Sequence, residues 1–281
     1  MKVKKLPISA VMVIHNEEKR LEKSLKSFTH LVDEIIIIHD GKCTDRSISI
    51  AKKFTKKVFI KPFIGEAEPH RPFSYKTAKH NWILQVDADE YLSGRLQKNL
   101  FKLIRKKVDV YDLPWVRLQK NKYFPGLYKR ALFKKNKIYL IGAPHEHPKP
   151  INNFVIIKKA VPPLIHKVKH ASDWIVFKTK WLPWIKIQAK YYTMEFSKIP
   201  KWNCELKDWE AKTKIRIEHP IIFGIIGHVV YLLIFNLVEF IKKRDVFYLQ
   251  ELIFKPLFLL VLYTNIIKLK QKRLRSKNQD S

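Results

Sequence analysis

The chain has 281 residues, of which 46% are hydrophobic and 12% aromatic, so it can bury a sizeable core and is not intrinsically disordered. Lys and Arg total 56 against 25 Asp and Glu, a formal net charge of +31. Such a surface attracts anions, whether nucleic acid, anionic lipid or phosphate-bearing substrates. The two cysteines, Cys43 and Cys204, exclude a disulfide framework, and their spacing matches no zinc site.

The first hundred residues alternate between apolar runs and helical patterns. Leu21, Leu25 and Phe28 recur at helical spacing, with Asn16 as the predicted N-terminal cap, and a later helix is predicted behind Ser93. Alternation of strands and helices predicts an α/β fold, with a mostly parallel sheet covered by helices on both faces. Apolar runs predict the strands at residues 8–14, 34–38, 57–60 and 82–86.

Polar residues stand at the ends of three of these strands. Asn16 follows the first strand, Asp40 the second and Asp87 the strand at 82–86. Because ligands of parallel sheets bind beyond the carboxyl ends of the strands, we expect the three residues to converge on one binding edge. The sequence contains neither a G-x-G-x-x-G nor a P-loop motif, which excludes the usual dinucleotide and P-loop sites.

The strongest local pattern is the acidic segment 87–90, Asp-Ala-Asp-Glu, directly after a buried strand. Two carboxylates two residues apart can hold a hard divalent cation, Mg²⁺ or Mn²⁺, through oxygen ligands. Such a cation would bridge the phosphates of a nucleotide and neutralise charge on a departing diphosphate. The alternative is a solvated acidic turn, but acidic residues are scarce in this chain, so their clustering favours a ligand site.

From residue 109 to 167 the pattern changes to short strands broken by prolines, which predicts a mixed extension of the sheet. This part carries the loop 142–148 with His145, Glu146 and His147 in succession. Three adjacent residues cannot all face one metal ion, so we expect a single acidic base with histidine support. The extension strands are predicted at residues 111–118, 130–133 and 154–157.

The C-terminal part is apolar and basic. Residues 221–241 are long enough to cross a bilayer but include His228, Asn236 and Glu239, and a second run at 252–267 is interrupted by Lys-Pro. Basic clusters flank both runs. Helices lying in the plane of an anionic cytoplasmic leaflet are therefore favoured over a two-span hairpin or a soluble bundle. We expect a peripheral or monotopic protein on the cytoplasmic side of the cell membrane.

Three segments taken together resemble the family 2 inverting glycosyltransferases, which have the GT-A fold. They are ISAVMVIHNEE at 8–18, DEIIIIHDGKCTDRSISIA at 33–51 and WILQVDADEYL at 82–92, in the family's order and spacing. The branch that modifies lipopolysaccharide cores is most similar, because it also has a basic strand, here 128–135, followed by a His-Glu pair, here His145-Glu146. The resemblance covers about the first 150 residues.

The resemblance implies roles for individual residues. Asp40 would read the base, uracil, and Arg71 would meet the phosphates or the sugar of the donor. Asp89, together with Asp87, would hold Mg²⁺ or Mn²⁺. The full set of implied nucleotide-sugar contacts is His15, Asn16, Glu17, Asp40, Arg71 and Asp87.

The resemblance also implies the reaction. Glu146 sits where the family has its general base, and Glu90 and His145 are candidates for contacts with the sugar or the acceptor. The predicted function is metal-assisted, inverting transfer of a sugar from a UDP-sugar to a glycan or glycolipid acceptor at an anionic membrane surface. A catalytic domain would span 1–168, a Trp- and Lys-rich acceptor-side or linker region 169–218, and a helical membrane-associating region 219–281.

Two other functions remain as alternatives. A nucleotidyltransferase of the same fold also uses paired metal-binding carboxylates, but it usually has a glycine-rich basic loop where this chain has residues 13–18, Val-Ile-His-Asn-Glu-Glu. A basic RNA-binding protein would account for the charge and the seven tryptophans, but not for the acidic segment or the apolar C-terminal part. We therefore expect no nucleic-acid partner.

Overall fold

The computed structural model describes residues 5–119, 122–124, 128–151, 162–167, 173–211, 226–244 and 246–279. The chain divides into two compact units. The first unit comprises Met1–Gly142, Glu146–Lys169 and Pro200–Asn203, and the second comprises Ala143–His145, His170–Ile199 and Cys204–Ser281. The predicted division into three regions stays a prediction.

The first unit is an α/β fold built on a nine-stranded sheet, as predicted. Strand order is β3-β2-β1-β4-β8-β6-β11-β5, with β7 paired to β6. The pairs of β1 with β2, β1 with β4 and β2 with β3 are parallel, and β8 joins β4 and β6 by antiparallel pairing. The strands are β1 (Leu6–Ile14), β2 (Val32–Asp40), β3 (Val58–Lys61), β4 (Trp82–Gln85), β5 (Glu90–Leu92), β6 (Val110–Gln119), β7 (Lys122–Phe124), β8 (Tyr128–Lys134) and β11 (Leu164–Lys167).

Helices cover the two faces of this sheet because its central strands are apolar on both sides. On one face Ile8, Met12 and Ile37 pack in a cluster with side chains of the first and fourth helices. On the other face Val11 and Ile36 pack with Tyr75 of the third helix. The helices are α1 (Glu18–Lys26), α2 (Ser47–Lys52), α3 (Arg71–Thr77) and α4 (Gly94–Arg105), with a 3₁₀ turn at Glu68–His70.

The helix starts confirm one predicted cap and correct another. Ser93 caps α4, because its side chain accepts from the Leu96 amide. Asn16 does not cap α1. Glu17 occupies the N-cap position instead, and its side chain makes no capping hydrogen bond. Instead Asn16 has a positive φ of 51°, and its Oδ1 accepts from the Thr44 amide at 2.9 Å, so it ties two loops together.

The extension strands predicted at 111–118 and 130–133 are confirmed by β6 and β8, whereas the strand predicted at 154–157 lies outside the described residues. A separate three-stranded sheet has the order β10-β9-β12. Its strands are β9 (Ile138–Ile141), β10 (Lys149–Pro150) and β12 (Lys201–Trp202). Strands β9 and β10 flank the loop with the candidate base.

The second unit is helical over its described residues. It contains α5 (Trp174–Val176), a π-helical turn (Phe177–Trp181), α6 (Leu182–Tyr192), a helix α7 of which residues 206–211 are described, α8 (His228–Lys243) and α9 (Val246–Gln279). Within this unit α9 packs against both α6 and α8. One stretch, Tyr248–Arg273, is long and apolar enough to cross a membrane, judged by length and composition alone.

Gly142 begins the loop that carries the candidate base Glu146, and it lies against the backbone of Pro200. Its amide donates to the Pro200 carbonyl at 2.7 Å, and an added Cβ would lie 2.5 Å from the same oxygen. We expect Gly142→Ala to lower the free energy of unfolding by about 1–3 kcal/mol through overpacking, measured by urea unfolding. Gly94→Ala is the matched control, because no atom lies within 4 Å of its added Cβ. Equal stability of both variants would contradict the contact.

Candidate active site

The acidic segment lies where predicted, at the carboxyl end of β4. Asp87 and Asp89 stand in the turn after this strand, and Glu90 begins β5. Asp87 and Asp89 are partly exposed, whereas the Glu90 side chain is fully buried. The Glu90 carboxylate also accepts from the Asp87 amide at 2.9 Å, which stabilises the turn.

Lys129 on β8 is the central cation of this cluster. Its Nζ lies 2.6 Å from the Asp87 carboxylate and 2.7 Å from both oxygens of Glu90, and the Trp115 indole donates to Glu90 at 2.7 Å. Burial raises the pKa of Glu90. Burial alone would lower the pKa of Lys129, but the two neighbouring carboxylates raise it. The buried charges therefore depend on one another.

Arg71 approaches Asp87 from the start of α3. Its Nη2 lies 3.4 Å from Asp87, and its Nη1 forms an ion pair with Glu68 at 3.2 Å. Burial would raise the pKa of Asp87, but the positive charges of Lys129 and Arg71 outweigh this and lower it. Among its contacts with described residues, Arg71 Nη1 makes no hydrogen bond although it is buried, so it keeps a donor for a further anion.

Asp89 has a different pair of neighbours. Its Oδ2 accepts from Arg20 Nη1 at 3.1 Å and lies 3.3 Å from His166 Nε2. Arg20 also pairs with Glu17 at 2.6 Å, so it links the end of β1 to the acidic segment. The His166 ring stacks on Trp115 with centroids 4.2 Å apart, which fixes its orientation on β11.

Asp89 and His166 place two potential metal donors side by side. No three His, Cys, Asp or Glu side chains of the described residues group closely enough to hold an ion by themselves. The 3.3 Å between Asp89 Oδ2 and His166 Nε2 is nevertheless close to the roughly 3 Å that separates adjacent ligands of Mg²⁺ or Mn²⁺. Such ions commonly keep waters and take phosphate oxygens as their remaining ligands.

Asp40, the predicted base reader, is buried at the end of β2. Its carboxylate accepts from the Ile64 amide at 2.7 Å, the Gly65 amide at 2.8 Å and His70 Nε2 at 2.8 Å. Burial would raise its pKa, but the bond from His70 and the two amide bonds outweigh it and lower the pKa. Asp40 thus holds the loop that leads to Arg71. Its predicted contact with a base stays a prediction.

The other residues predicted beside the nucleotide surround the ends of β1 and β2. His15 Nδ1 donates to the Asp40 carbonyl at 2.6 Å, and its ring lies 5.0 Å from that of Phe63. Gly41 has φ of 79°, and an added Cβ would come within 2.7 Å of Phe63. A groove of about 620 Å³ opens here, lined by Gly41, Lys42, Cys43, Ile48, Ile60, Lys61, Pro62 and Phe63. An aromatic and basic groove of this size can take a base.

Glu146 is buried in the loop between β9 and β10. Arg130, held by Asp112 at 2.9 Å, donates to the Pro148 carbonyl at 2.6 Å and so anchors this loop to β8. Loss of hydration around His147, together with the positive charges of Arg71 and Lys129, lowers the pKa of its imidazole to about 4. Because Arg130 is next to Lys129 on β8, its bond to Pro148 holds the loop that carries Glu146 beside the strand of Lys129.

The structure brings five of the ten predicted site residues into one cluster. Asp87, Asp89, Glu90 and Arg71 share one cluster, to which Glu17 is joined through Arg20. His145 instead packs within the second unit, with its ring 5.5 Å from Trp184 and 6.0 Å from Phe258. The sequence interpretation missed the site residues Arg20, Trp115, Lys129 and His166. The basic strand 128–135 pointed to Lys129, but no pattern singled out His166.

The family model for glycosyl transferase family 2 matches residues 9–161, more than half of the chain. The chain therefore belongs to glycosyl transferase family 2. The assignment to the lipopolysaccharide-core branch stays a prediction.

Individual relatives match shorter parts. An uncharacterized glycosyltransferase of Rickettsia bellii is 37% identical over 93 residues, which is 33% of this chain and 31% of the relative. Glycosyltransferase SunS of Bacillus subtilis (SPbeta prophage-derived) is 28% identical over 167 residues, 53% of this chain and 37% of SunS. The chain thus spans about a third of the length of these relatives. The structure of S. aureus TarS 1-349 in complex with UDP-GlcNAc aligns over 94% of this chain and 92% of the TarS 1-349 chain, with 13% identity and a TM-score of 0.45.

The hydrogen bonds of Asp40 generate a pH-dependent prediction. Asp40→Asn removes an acceptor oxygen from buried donors, so we expect unfolding to cost about 1–3 kcal/mol less at pH 7. Because the folded pKa of Asp40 is lowered, its stabilisation is full above the unfolded value of about 4 and is lost as pH falls below it. The difference between wild type and variant in urea unfolding should therefore shrink at acid pH. A difference that is constant from pH 7 to pH 3 would contradict it.

Proposed function

We propose that the chain catalyses inverting transfer of a sugar from a UDP-sugar to a glycan or lipid-linked acceptor. The observation that carries this is the cluster at the carboxyl end of β4, in which Asp87, Asp89 and Glu90 lie among the cations of Arg71 and Lys129. A strand-end cluster of carboxylates and cations is suited to binding a nucleotide diphosphate. Family membership supports the reaction class, and the donor and acceptor are part of the proposal.

Glu146 is the proposed general base. Its carboxylate accepts the proton of the acceptor hydroxyl as that oxygen attacks the anomeric carbon from the face opposite the nucleotide. The bond between the anomeric carbon and the diphosphate oxygen breaks, and its electron pair leaves with the nucleotide. One displacement inverts the anomeric configuration without a covalent enzyme intermediate. The anchoring of the loop by Arg130 supports this role, because a base must be held in position.

Charge balance supports a metal-assisted reaction. Five carboxylates of the cluster and its direct ion-pair partners, Glu17, Glu68, Asp87, Asp89 and Glu90, outnumber the cations Arg20, Arg71 and Lys129. A divalent cation would restore the balance. Held by Asp89 and His166 with Asp87 beside them, Mg²⁺ or Mn²⁺ would neutralise charge on the leaving diphosphate. Arg71 would donate to the same phosphates through Nη1.

The second unit supports a location on the cytoplasmic face of the membrane, peripheral or monotopic. Along α8, Val230, Ile234, Leu237 and Ile241 are spaced by three or four residues and are all exposed. This spacing makes one apolar stripe on a helix. Exposed basic residues stand near helix ends, among them Lys242, Arg244, Lys268, Lys272 and Arg273. Apolar stripes flanked by Lys and Arg are typical of helices in an anionic interface.

A donor screen tests the reaction and the role of Asp89 together. Release of UDP, GDP or CMP is followed for each nucleotide sugar with a mixture of glycan acceptors, and we expect UDP. Asp89→Asn should abolish release and metal-dependent nucleotide binding, because the ion would stabilise the leaving group by several kcal/mol. Asp33→Asn, a surface carboxylate paired with Lys79, is the control and should be fully active. Full activity of Asp89→Asn, or of wild type in excess EDTA, would refute metal assistance at Asp89.

The base is tested by Glu146→Gln, which keeps the shape of the side chain but removes its proton-accepting carboxylate. We expect donor binding to persist while turnover falls by roughly 10²–10⁴. Binding is measured by calorimetry and turnover by nucleotide release. A variant that turns over at the wild-type rate would place the base elsewhere, with Glu90 the next residue to test.

Membrane association is tested by fractionation. The full chain should resist concentrated salt and require detergent, because inserted apolar area outweighs about 1 kcal/mol for each basic residue. Replacing Val230, Ile234 and Leu237 by Gln should release the protein, whereas Lys242→Gln with Arg244→Gln should weaken attachment only at low salt. Wild type in the soluble fraction at low salt would contradict the membrane location.

A further inference from the structure

A groove of about 750 Å³ lies within the first unit, away from the acidic segment. Its floor is formed by Tyr91 of β5, Ile165 of β11 and Val116 of β6, which pair in register. The residues adjacent to Tyr91 and Ile165 along these strands are Glu90 and His166, which also pair in register and belong to the acidic cluster. Because successive side chains of a strand point to opposite faces, the groove and the cluster are on opposite faces of the sheet.

The rim of the groove is basic and aromatic. Lys23 holds its Nζ 4.4 Å from the centre of the Tyr91 ring, and Tyr123 of β7 exposes 63% of its surface. Lys26 is also on the rim and forms an exposed ion pair with Glu22 at 2.7 Å, of the kind that contributes little in water. None of the residues lining the groove, all of which are described, is acidic. The groove therefore selects for a negatively charged ligand.

One wall of the groove is the start of α4. Ser93, Gly94 and Gln97 line it, and no atom lies within 4 Å of the position of a Cβ on Gly94. The open space beside Gly94 leaves room for a ligand near the positive end of the helix. The groove thus combines flat aromatic faces, cations and polar side chains, the combination that binds sugar rings carrying charged groups.

We propose that this groove binds an anionic oligosaccharide, a chain of sugars carrying carboxylate or phosphate groups, separately from the donor. The volume is within the range of roughly 300–1,000 Å³ for small-molecule sites. Tyr91 and Tyr123 stack on the apolar faces of the sugars, and Lys23 pairs with their anionic groups. β5 ends the strand order of the described sheet.

The inference rests on the proposed function, since it concerns the acceptor of the same enzyme, but its test is a binding measurement that needs no turnover. The probe is tetragalacturonate, with maltotetraose as the uncharged counterpart and a deoxyadenylate pentamer as a polyanion of matched charge. Calorimetry at physiological salt should show one saturable site for tetragalacturonate. Tyr123→Ala should weaken binding about fivefold, and Lys23→Gln about threefold.

Matched controls separate the groove from the general positive charge. Lys52→Gln on α2 and Phe101→Ala on α4 alter an exposed lysine and an exposed aromatic outside the groove, and both should bind the probe as wild type. Asp89→Asn, inactive in transfer if the proposed function holds, should also bind the probe normally. Three results would refute the groove as the binding site. They are a weakening of probe binding by Lys52→Gln as large as that by Lys23→Gln, tighter binding of the pentamer than of tetragalacturonate, and the absence of saturable binding. Normal probe binding without nucleotide release in any donor screen would instead refute the proposed function alone.

Discussion

The candidate active site depends on the ion pair between the buried Glu90 carboxylate and Lys129. A buried carboxylate costs several kcal/mol unless a cation and further hydrogen bonds compensate it. Lys129 and the Trp115 indole supply that compensation, and the strand pairing explains why they are in place. β4 pairs with β8 so that Leu84 faces Leu132, and three more residues of this register bring Asp87 opposite Lys129. The antiparallel strand β8 therefore positions the cation for the carboxylates at the end of a parallel strand.

The same cluster explains how a strongly basic chain keeps a carboxylate site functional. With a formal net charge of +31, long-range electrostatics would attract a nucleotide to any part of the surface. Specific binding requires a local pattern, and here carboxylates and cations alternate over a few ångströms. Asp87 lies between Arg71 and Lys129, and Asp89 lies between Arg20 and His166. Each of the three cations also pairs with a second carboxylate, Arg20 with Glu17, Arg71 with Glu68 and Lys129 with Glu90.

The sequence predicted the elements whose patterns are local. Apolar runs located β1, β2 and β4, the strand ends located Asp40 and Asp87, and Ser93 was recognised as a cap. Contacts across the sheet were not predictable, because the pairing of β8 with β4 and of β11 with β5 joins segments about 40 to 80 residues apart. His166 therefore came only from the structure, and the sequence indicated Lys129 only as one of several basic residues of the strand at 128–135. Asn16 looked like a helix cap, but the tight turn after β1 directs its side chain to Thr44 instead.

The alternation of side chains along β5, β6 and β11 has a consequence for how an acceptor chain is held. The two short strands β5 and β11 present Glu90 and His166 to one face and Tyr91 and Ile165 to the other. A ligand in the groove is thus separated from the acidic cluster by the thickness of the sheet, and α1 covers the outer edge of β5, where Ser27 Oγ accepts from the Leu92 amide at 3.1 Å. Any residue inserted into β5 would exchange the two faces and place Tyr91 among the carboxylates. The register of this edge strand therefore couples the position of the carboxylates of the acidic cluster to the shape of the groove behind them.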